Sequence, residues 1–138
     1  MSLALLSAGC GLGTANLRPA DSALQRCDSG PHCVSSRNRE AHHAIEPIHY
    51  RGATDAARRQ LLAVLATLPD IEVIETRDDY VYAQAVTRWM RFVDDLEFRF
   101  VPDTRLIELR SSSRIGYYDF QVNRRRLEEI RRRFAEAP

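Results

Sequence analysis

The segment FVDDLEFRF, residues 92–100, alternates between apolar and charged side chains over its second half. Leu96, Phe98 and Phe100 would share one face of a β-strand, because successive side chains of a strand point to opposite faces. The charged residues between them, beginning with Asp95, would share the other face. This pattern predicts a strand of an antiparallel sheet with one buried face and one face in water.

Similar segments on both sides of this strand extend the sheet. Residues 71–76 and 80–87 precede it, residues 105–112 follow it, and two of the joins are short enough for hairpins. A shorter strand is predicted at residues 45–50, where Pro47 suits a sheet edge or the start of a strand. The sequence therefore predicts five strands.

Two segments with helical spacing complete the pattern. The first has Thr54 as its N-cap and ends before Pro69. The second is predicted to begin with Asp119 as its N-cap and to end near Ala135, with Asn123 on the same stripe as the apolar side chains. The order β-α-β-β-β-β-α predicts an α+β fold, in which a curved antiparallel sheet carries both helices on one face in a TBP-like or helix-grip topology.

The composition indicates one ordinary globular domain. A chain of 138 residues is close to the size of a single domain, and an apolar share of 44% argues against disorder. The formal charge is only +1, so nothing in the overall charge favours nucleic acid as a partner. All 20 basic residues are arginine, so an arginine here says less than usual about a need for a planar guanidinium group.

The segment MSLALLSAGC, residues 1–10, resembles the end of a lipoprotein signal peptide. It lacks a positive n-region and has Ser7 where the lipobox usually has leucine. We expect a signal remnant over residues 1–10 with lipidation at Cys10, a flexible tether over 11–26 and a single domain over 27–138. The alternative is an ordinary cytosolic N-terminus with a chance cysteine.

The lipid anchor would attach the protein to a membrane of the cell envelope, where the domain faces the periplasm. A secreted or soluble periplasmic protein is the second possibility for its location. The apolar run in the leader is far too short to span a bilayer as it stands.

Cys27 and Cys33 remain as an even pair. The turn-forming residues between them let the chain reverse, so the two sulfurs would form a disulfide in an oxidising envelope. A metal site built from these cysteines with His32, His42 or His43 is the alternative, although no C-x2-C or H-x3-5-H spacing supports it. No cofactor is expected.

Three motifs carry a resemblance to a known family. They are CDSGPHCVSS at residues 27–36, FVDD at residues 92–95 and RSSSRIGYYDFQVNR at residues 110–124. Together they resemble the bacterial and plastid family catalogued as domain of unknown function 1499. The resemblance implies a small secreted, lipoprotein or membrane-associated domain and supplies no catalytic residue. Asp28 stands where that family commonly has proline after the first cysteine.

The same polar motifs contain the candidate ligand-binding residues. They are Asp94, Asp95, Arg110, Ser111, Ser113, Arg114, Asp119, Asn123 and Arg124. The arginines and the start of the last helix could form a pocket for an anion or another small ligand. The two aspartates could instead neutralise the arginines in a purely structural network of ion pairs and hydrogen bonds.

The expected function is that of an envelope lipoprotein domain that binds an unknown envelope partner or a small anionic ligand without catalysis. A hydrolase or lyase that uses Asp94 or Asp95 with Arg114 is the enzymatic alternative. A metal-binding protein that uses Cys27, His32 and Cys33 is the third hypothesis.

Overall fold

The computed structural model describes residues 17–18, 22–28, 30–87, 91–115 and 121–138. Within these ranges the chain has the predicted α+β architecture, an antiparallel sheet with two helices. The elements are β1 (Cys33–Ser35), β2 (Ile48–His49), α1 (Thr54–Ala66), β3 (Ile71–Arg77), β4 (Tyr80–Val86), β5 (Val93–Val101), β6 (Leu106–Ser113) and α2 (Val122–Glu136).

The sheet runs in the order β1-β6-β5-β4-β3, and β2 also pairs with β6. The four long strands follow the chain and form the predicted hairpins, so each pairs with its neighbour in sequence. Strand β1 was not predicted, because three residues are too few to show alternation and its pairing with β6 is a long-range contact. The strand predicted at residues 45–50 is reduced to β2, which begins just after Pro47.

The N-cap residues of both helices differ from those that the sequence predicts. The N-cap of α1 is Ala53, and Thr54 is the first helical residue. The Thr54 hydroxyl lies 2.9 Å from the phenol oxygen of Tyr50, so it caps no backbone N–H. The N-cap of α2 is Gln121, in the left-handed conformation with φ of 66°, whereas the predicted cap Asp119 lies outside the described residues.

Both helices pack on one face of the sheet, here called the helix face. Leu61 of α1, Leu127 and Ile130 of α2, and Phe98 of β5 are all fully buried there. Burying a side chain of this size stabilises the fold by about 1.5–3 kcal/mol, so this face supplies most of the apolar core. None of the helices in the described ranges is long and apolar enough to cross a membrane.

The opposite face of the sheet, here called the second face, is also covered. Leu24 packs on Tyr80 and Tyr82, and the backbone N–H of Arg18 donates to Glu97 Oε1 at 2.9 Å. The prediction of a half-solvated sheet is therefore wrong over β4 and β5. Arg18 and Leu24 belong to the segment predicted as a tether, and both contact this face, while the predicted domain bounds stay a prediction.

Candidate functional site

Asp94 and Asp95, predicted as one acidic pair, lie on opposite faces of the sheet. They are neighbours on β5, and consecutive side chains of a strand point in opposite directions. Asp94 lies on the helix face and Asp95 on the second face, and both are buried. The two carboxylates therefore belong to two separate networks and do not act on one substrate together.

The helix-face network joins the ends of β5 and β6 to α2. Asn123 donates from Nδ2 to the His32 carbonyl at 3.1 Å and to Ser113 Oγ at 2.8 Å, while its Oδ1 accepts a short hydrogen bond from Ser111 Oγ. Arg126 forms an ion pair with Asp94 at 2.9 Å. Asn123 is fully buried, so this network ties the helix to the sheet.

The second-face network contains the predicted pair of Asp95 and Arg114. Arg114 binds Asp95 through two hydrogen bonds, from Nε to Oδ2 and from Nη2 to Oδ1, each 2.9 Å long. The phenol of Tyr82 donates to Asp95 Oδ1 at 2.6 Å and accepts from Gln84 Nε2 at 2.7 Å. The carboxylate is thus held by three donor groups of Arg114 and Tyr82.

A second ion pair lies beside the first and was missed at the sequence level. Glu97 is fully buried and accepts at Oε2 from Arg110 Nη1 at 3.2 Å. Its Oε1 accepts from the phenol of Tyr80 at 2.7 Å and from the Arg18 backbone. The alternation of β5 assigned Glu97 to a solvated face, whereas its contacts with Arg18, Tyr80 and Arg110 make this glutamate a core residue.

Burial and these contacts shift the ionisation of both tyrosines. Desolvation raises the pKa of Tyr80 far above the usual tyrosine range, and the nearby Glu97 charge adds to that effect. Desolvation also raises the pKa of Tyr82, with a further contribution from its hydrogen bond to Asp95. Both phenols therefore remain protonated donors at physiological pH.

Arg124 donates hydrogen bonds to the loop between β1 and β2. Its guanidinium donates to the carbonyls of Ala44 at 2.7 Å and of Ala41 and His42 at 3.2 Å each. Three backbone acceptors on one guanidinium group hold this loop against α2. The position of Arg124 is therefore explained by structure, and it lies in neither network.

The structure joins Cys27 and Cys33 in the predicted disulfide, with their Cα atoms 5.5 Å apart. The bond uses both sulfurs, so neither is a thiolate ligand for zinc. In the part of the chain that the structure describes, no three histidine, cysteine or acidic side chains come together as metal ligands. His43 instead points Nδ1 at the Cys33 carbonyl, 2.9 Å away.

A polar hollow of about 160 Å³, here called the disulfide cleft, lies between the disulfide loop and the end of β6. It is lined by Asp28, Gly30, His32, Cys33, Arg110, Ser112, Ser113 and Arg114. Three of the predicted site residues thus meet in it, namely Arg110, Ser113 and Arg114. The sequence did not single out Ser112, whose hydroxyl has no hydrogen-bond partner among the described residues.

His32 also lines the disulfide cleft and is held close to Gly30. A Cβ atom on Gly30 would lie 2.3 Å from Cε1 and 2.6 Å from Nδ1 of the His32 ring, so only glycine leaves room for this ring position. The His32 carbonyl accepts from the backbone N–H of Ser113 at 3.0 Å and from Asn123. The hydrogen bonds hold the backbone of His32 in place, and the space beside Gly30 holds its ring.

A wider and more open groove of about 760 Å³ runs between the two helices. Its floor contains Ala56, Ala63 and Val64, and its rim includes Arg59 and Arg132. The groove is mainly apolar and holds none of the predicted site residues. The disulfide cleft is therefore the candidate site.

The chain belongs to the family described as "Protein of unknown function (DUF1499)", whose sequence model matches residues 23–134. This match confirms the resemblance drawn from the three motifs. It begins after Cys10, so the lipid anchor stays a prediction. No curated protein matches the chain.

Proposed function

We propose that this DUF1499 domain is a non-catalytic binding domain of the cell envelope that takes a small anionic ligand in the disulfide cleft. The observation that carries the proposal is that a hollow of about 160 Å³ is lined by three side chains with unused hydrogen-bond donors. A volume of this size suits a carboxylate, sulfate or phosphate group.

The donors come from three side chains of the cleft. Arg114 uses Nε and Nη2 on Asp95 and Tyr82, which leaves its Nη1 group without a partner among the described residues. Ser112 has a free hydroxyl, and Ser113 accepts from Asn123 but keeps its own proton for donation. Hydrogen bonds of this kind to an anion are the strong, charge-assisted type.

The enzymatic alternative has less support from the geometry. Asp94 is paired with Arg126, and Asp95 is held by Arg114 and Tyr82. A general base needs a carboxylate that can reach a substrate proton, and both of these carboxylates are buried and already bound. The hydrogen bonds that Arg114 donates to Asp95 raise the pKa of Arg114, so its guanidinium group stays charged beside this carboxylate.

The binding proposal is tested by thermal unfolding of the whole chain with phosphate, sulfate or acetate, each against sodium chloride at the same ionic strength. A ligand that binds only the folded state raises Tm. Arg114→Lys keeps the charge beside Asp95 but removes the spare donor, so we expect at least about a tenfold loss of affinity. Arg51→Lys, at an exposed arginine outside the cleft, is the matched control.

Equal anion effects in the two variants would place the binding elsewhere on the surface. A Tm that no anion raises beyond the sodium chloride control would remove the proposal altogether. Turnover of a substrate by the purified domain, lost in Asp95→Asn, would favour the hydrolase or lyase hypothesis instead.

The envelope location is the second part of the proposal, with a lipid anchor at Cys10. The disulfide supports it, because such bonds persist in oxidising compartments and are rare in the cytosol. Intact mass spectrometry of the membrane fraction tests this part. A chain cleaved before Cys10 and carrying acyl groups is expected for the wild type and not for Cys10→Ala. An unprocessed, reduced chain in the soluble fraction would contradict it.

A further inference from the structure

Counted over the described residues alone, the charged side chains at the disulfide cleft leave one negative charge in excess. The guanidinium groups of Arg110 and Arg114 are matched by the carboxylates of Glu97 and Asp95, with which they form ion pairs. Asp28 lines the cleft and adds one more negative charge. An anion that enters the cleft therefore needs a further positive charge at the site.

His32 is the group that can supply this charge. His32 lines the cleft, and its Nδ1 atom is buried beside Gly30 with no hydrogen-bond partner among the described residues. A neutral imidazole has one donor nitrogen and one acceptor nitrogen, whereas a protonated imidazole donates from both. The protonated ring also brings a positive charge to the wall of the cleft, which the neutral ring does not do in either tautomer.

The other charged groups described near His32 are guanidinium groups and one carboxylate. Arg110, Arg114 and Asp28 face it within the cleft, and Arg126 reaches the Asn123 amide that binds the His32 carbonyl. Carboxylates and guanidinium groups keep their charges between about pH 5 and pH 8, where histidine ordinarily gains or loses a proton. His43 points Nδ1 at the Cys33 carbonyl.

We infer that the disulfide cleft binds its anion together with a proton on His32, so that affinity rises as the pH falls. This inference rests on the proposed anion site and adds its regulation by pH. The structure positions the imidazole for this role through two features. Gly30 leaves the space that the ring occupies, and the hydrogen bonds to the His32 carbonyl hold its backbone.

The test is calorimetric titration of the full chain with sodium sulfate, because sulfate keeps both charges throughout this range. Binding that takes up a proton weakens as the pH rises through the range where histidine loses its proton, so wild-type affinity should fall at least about tenfold between about pH 5.5 and about pH 8. His32→Gln should bind weakly and equally at both pH values. His42→Gln removes an exposed neighbouring histidine and should behave like the wild type.

Gly30→Ala provides a second variant that leaves every charge in place. The added methyl group must displace the His32 ring, so sulfate affinity at about pH 5.5 should fall towards that of His32→Gln. Near-UV circular dichroism confirms that each variant is folded before titration.

Three outcomes would overturn the inference. They are sulfate affinity that does not depend on pH in the wild type, pH dependence that survives in His32→Gln, and loss of that dependence in His42→Gln. These results leave the proposed anion site intact as long as sulfate binds. An absence of sulfate binding at every pH is a different result and would remove the site itself.

Discussion

Glu97 and Phe98 are adjacent on β5, and both are completely buried, yet they lie in two different kinds of core. On the helix face, Phe98 packs among aliphatic side chains from both helices. On the second face, Glu97 is enclosed by Arg110, Tyr80 and the backbone of Arg18. One strand thus separates an apolar core from an ion-paired core.

The two faces should therefore respond differently to amino-acid substitutions. Apolar burial stabilises in proportion to the area removed from water, so a volume-conserving change costs little. A buried charge is tolerated only with its partners, and removing one partner leaves the other as an uncompensated charge. The second face therefore depends on specific pairs, which also makes it the face that can build a polar cleft.

The largest expected effect is a cavity on the helix face. Phe98→Ala should lower the free energy of unfolding by about 3–5 kcal/mol, because the surrounding side chains cannot collapse fully into the space. Urea denaturation followed by circular dichroism measures this change. Phe98→Leu, which keeps more of the volume, is the control and should cost clearly less. Equal losses in the two variants would mean that packing at this position does not limit stability.

A smaller effect is expected on the second face. Glu97→Gln keeps the shape of the side chain but leaves Arg110 as a buried charge without its carboxylate, at a cost of about 2–3 kcal/mol. Glu75→Gln breaks the exposed ion pair of Glu75 with Arg77 and should change stability by less than about 1 kcal/mol. The same denaturation assay applies to both. If Glu97→Gln were as mild as Glu75→Gln, the second face would be open to water in solution.

The smallest effect concerns alkaline pH. The pKa of Tyr80 is raised in the folded state, so unfolded chains lose this proton first as the pH rises above the usual tyrosine value of about 10. Stability conferred by the protonated phenol is therefore complete below that value and is lost as the pH rises past it. Tyr80→Phe should cost about 1–2 kcal/mol near neutral pH and should flatten the alkaline decline.

Measurements of unfolding free energy from about pH 8 to about pH 11 check this prediction. Tyr50→Phe, at a buried tyrosine packed on the helix face, is the matched control and should keep the wild-type slope. If the free energy of unfolding fell with pH as steeply in Tyr80→Phe as in the wild type, burial on the second face would not be what keeps this phenol protonated.

Much of the fold could be predicted from local patterns. The four long strands lie within one or two residues of their predicted bounds, and both helices bury the expected apolar stripes. The prediction of a disulfide agrees with the structure. The caps were wrong because Thr54 binds Tyr50, and because Gln121 starts α2 through a left-handed backbone conformation that its side chain does not reveal.

The candidate site was harder to predict. Arg110, Ser113 and Arg114 do meet at one cleft, but Ser111 and Asn123 belong to the helix-face network and Arg124 binds a distant loop. Asp119 and Cys10 lie outside the described residues. The sequence indicated His32 only as a possible metal ligand. Nothing in its neighbours along the chain indicates that it lines a cleft with β6.

The sequence alone was enough for the types and order of the two helices and the four long strands, and for the side of each of these strands on which a residue lies, because these follow from periodicity within a few residues. Only the tertiary structure decided what covers each side. Arg18 and Leu24 cover the second face, where Glu97 is therefore a core residue, and the disulfide loop lies against the end of β6. Such contacts join residues far apart in the chain, so no local pattern records them.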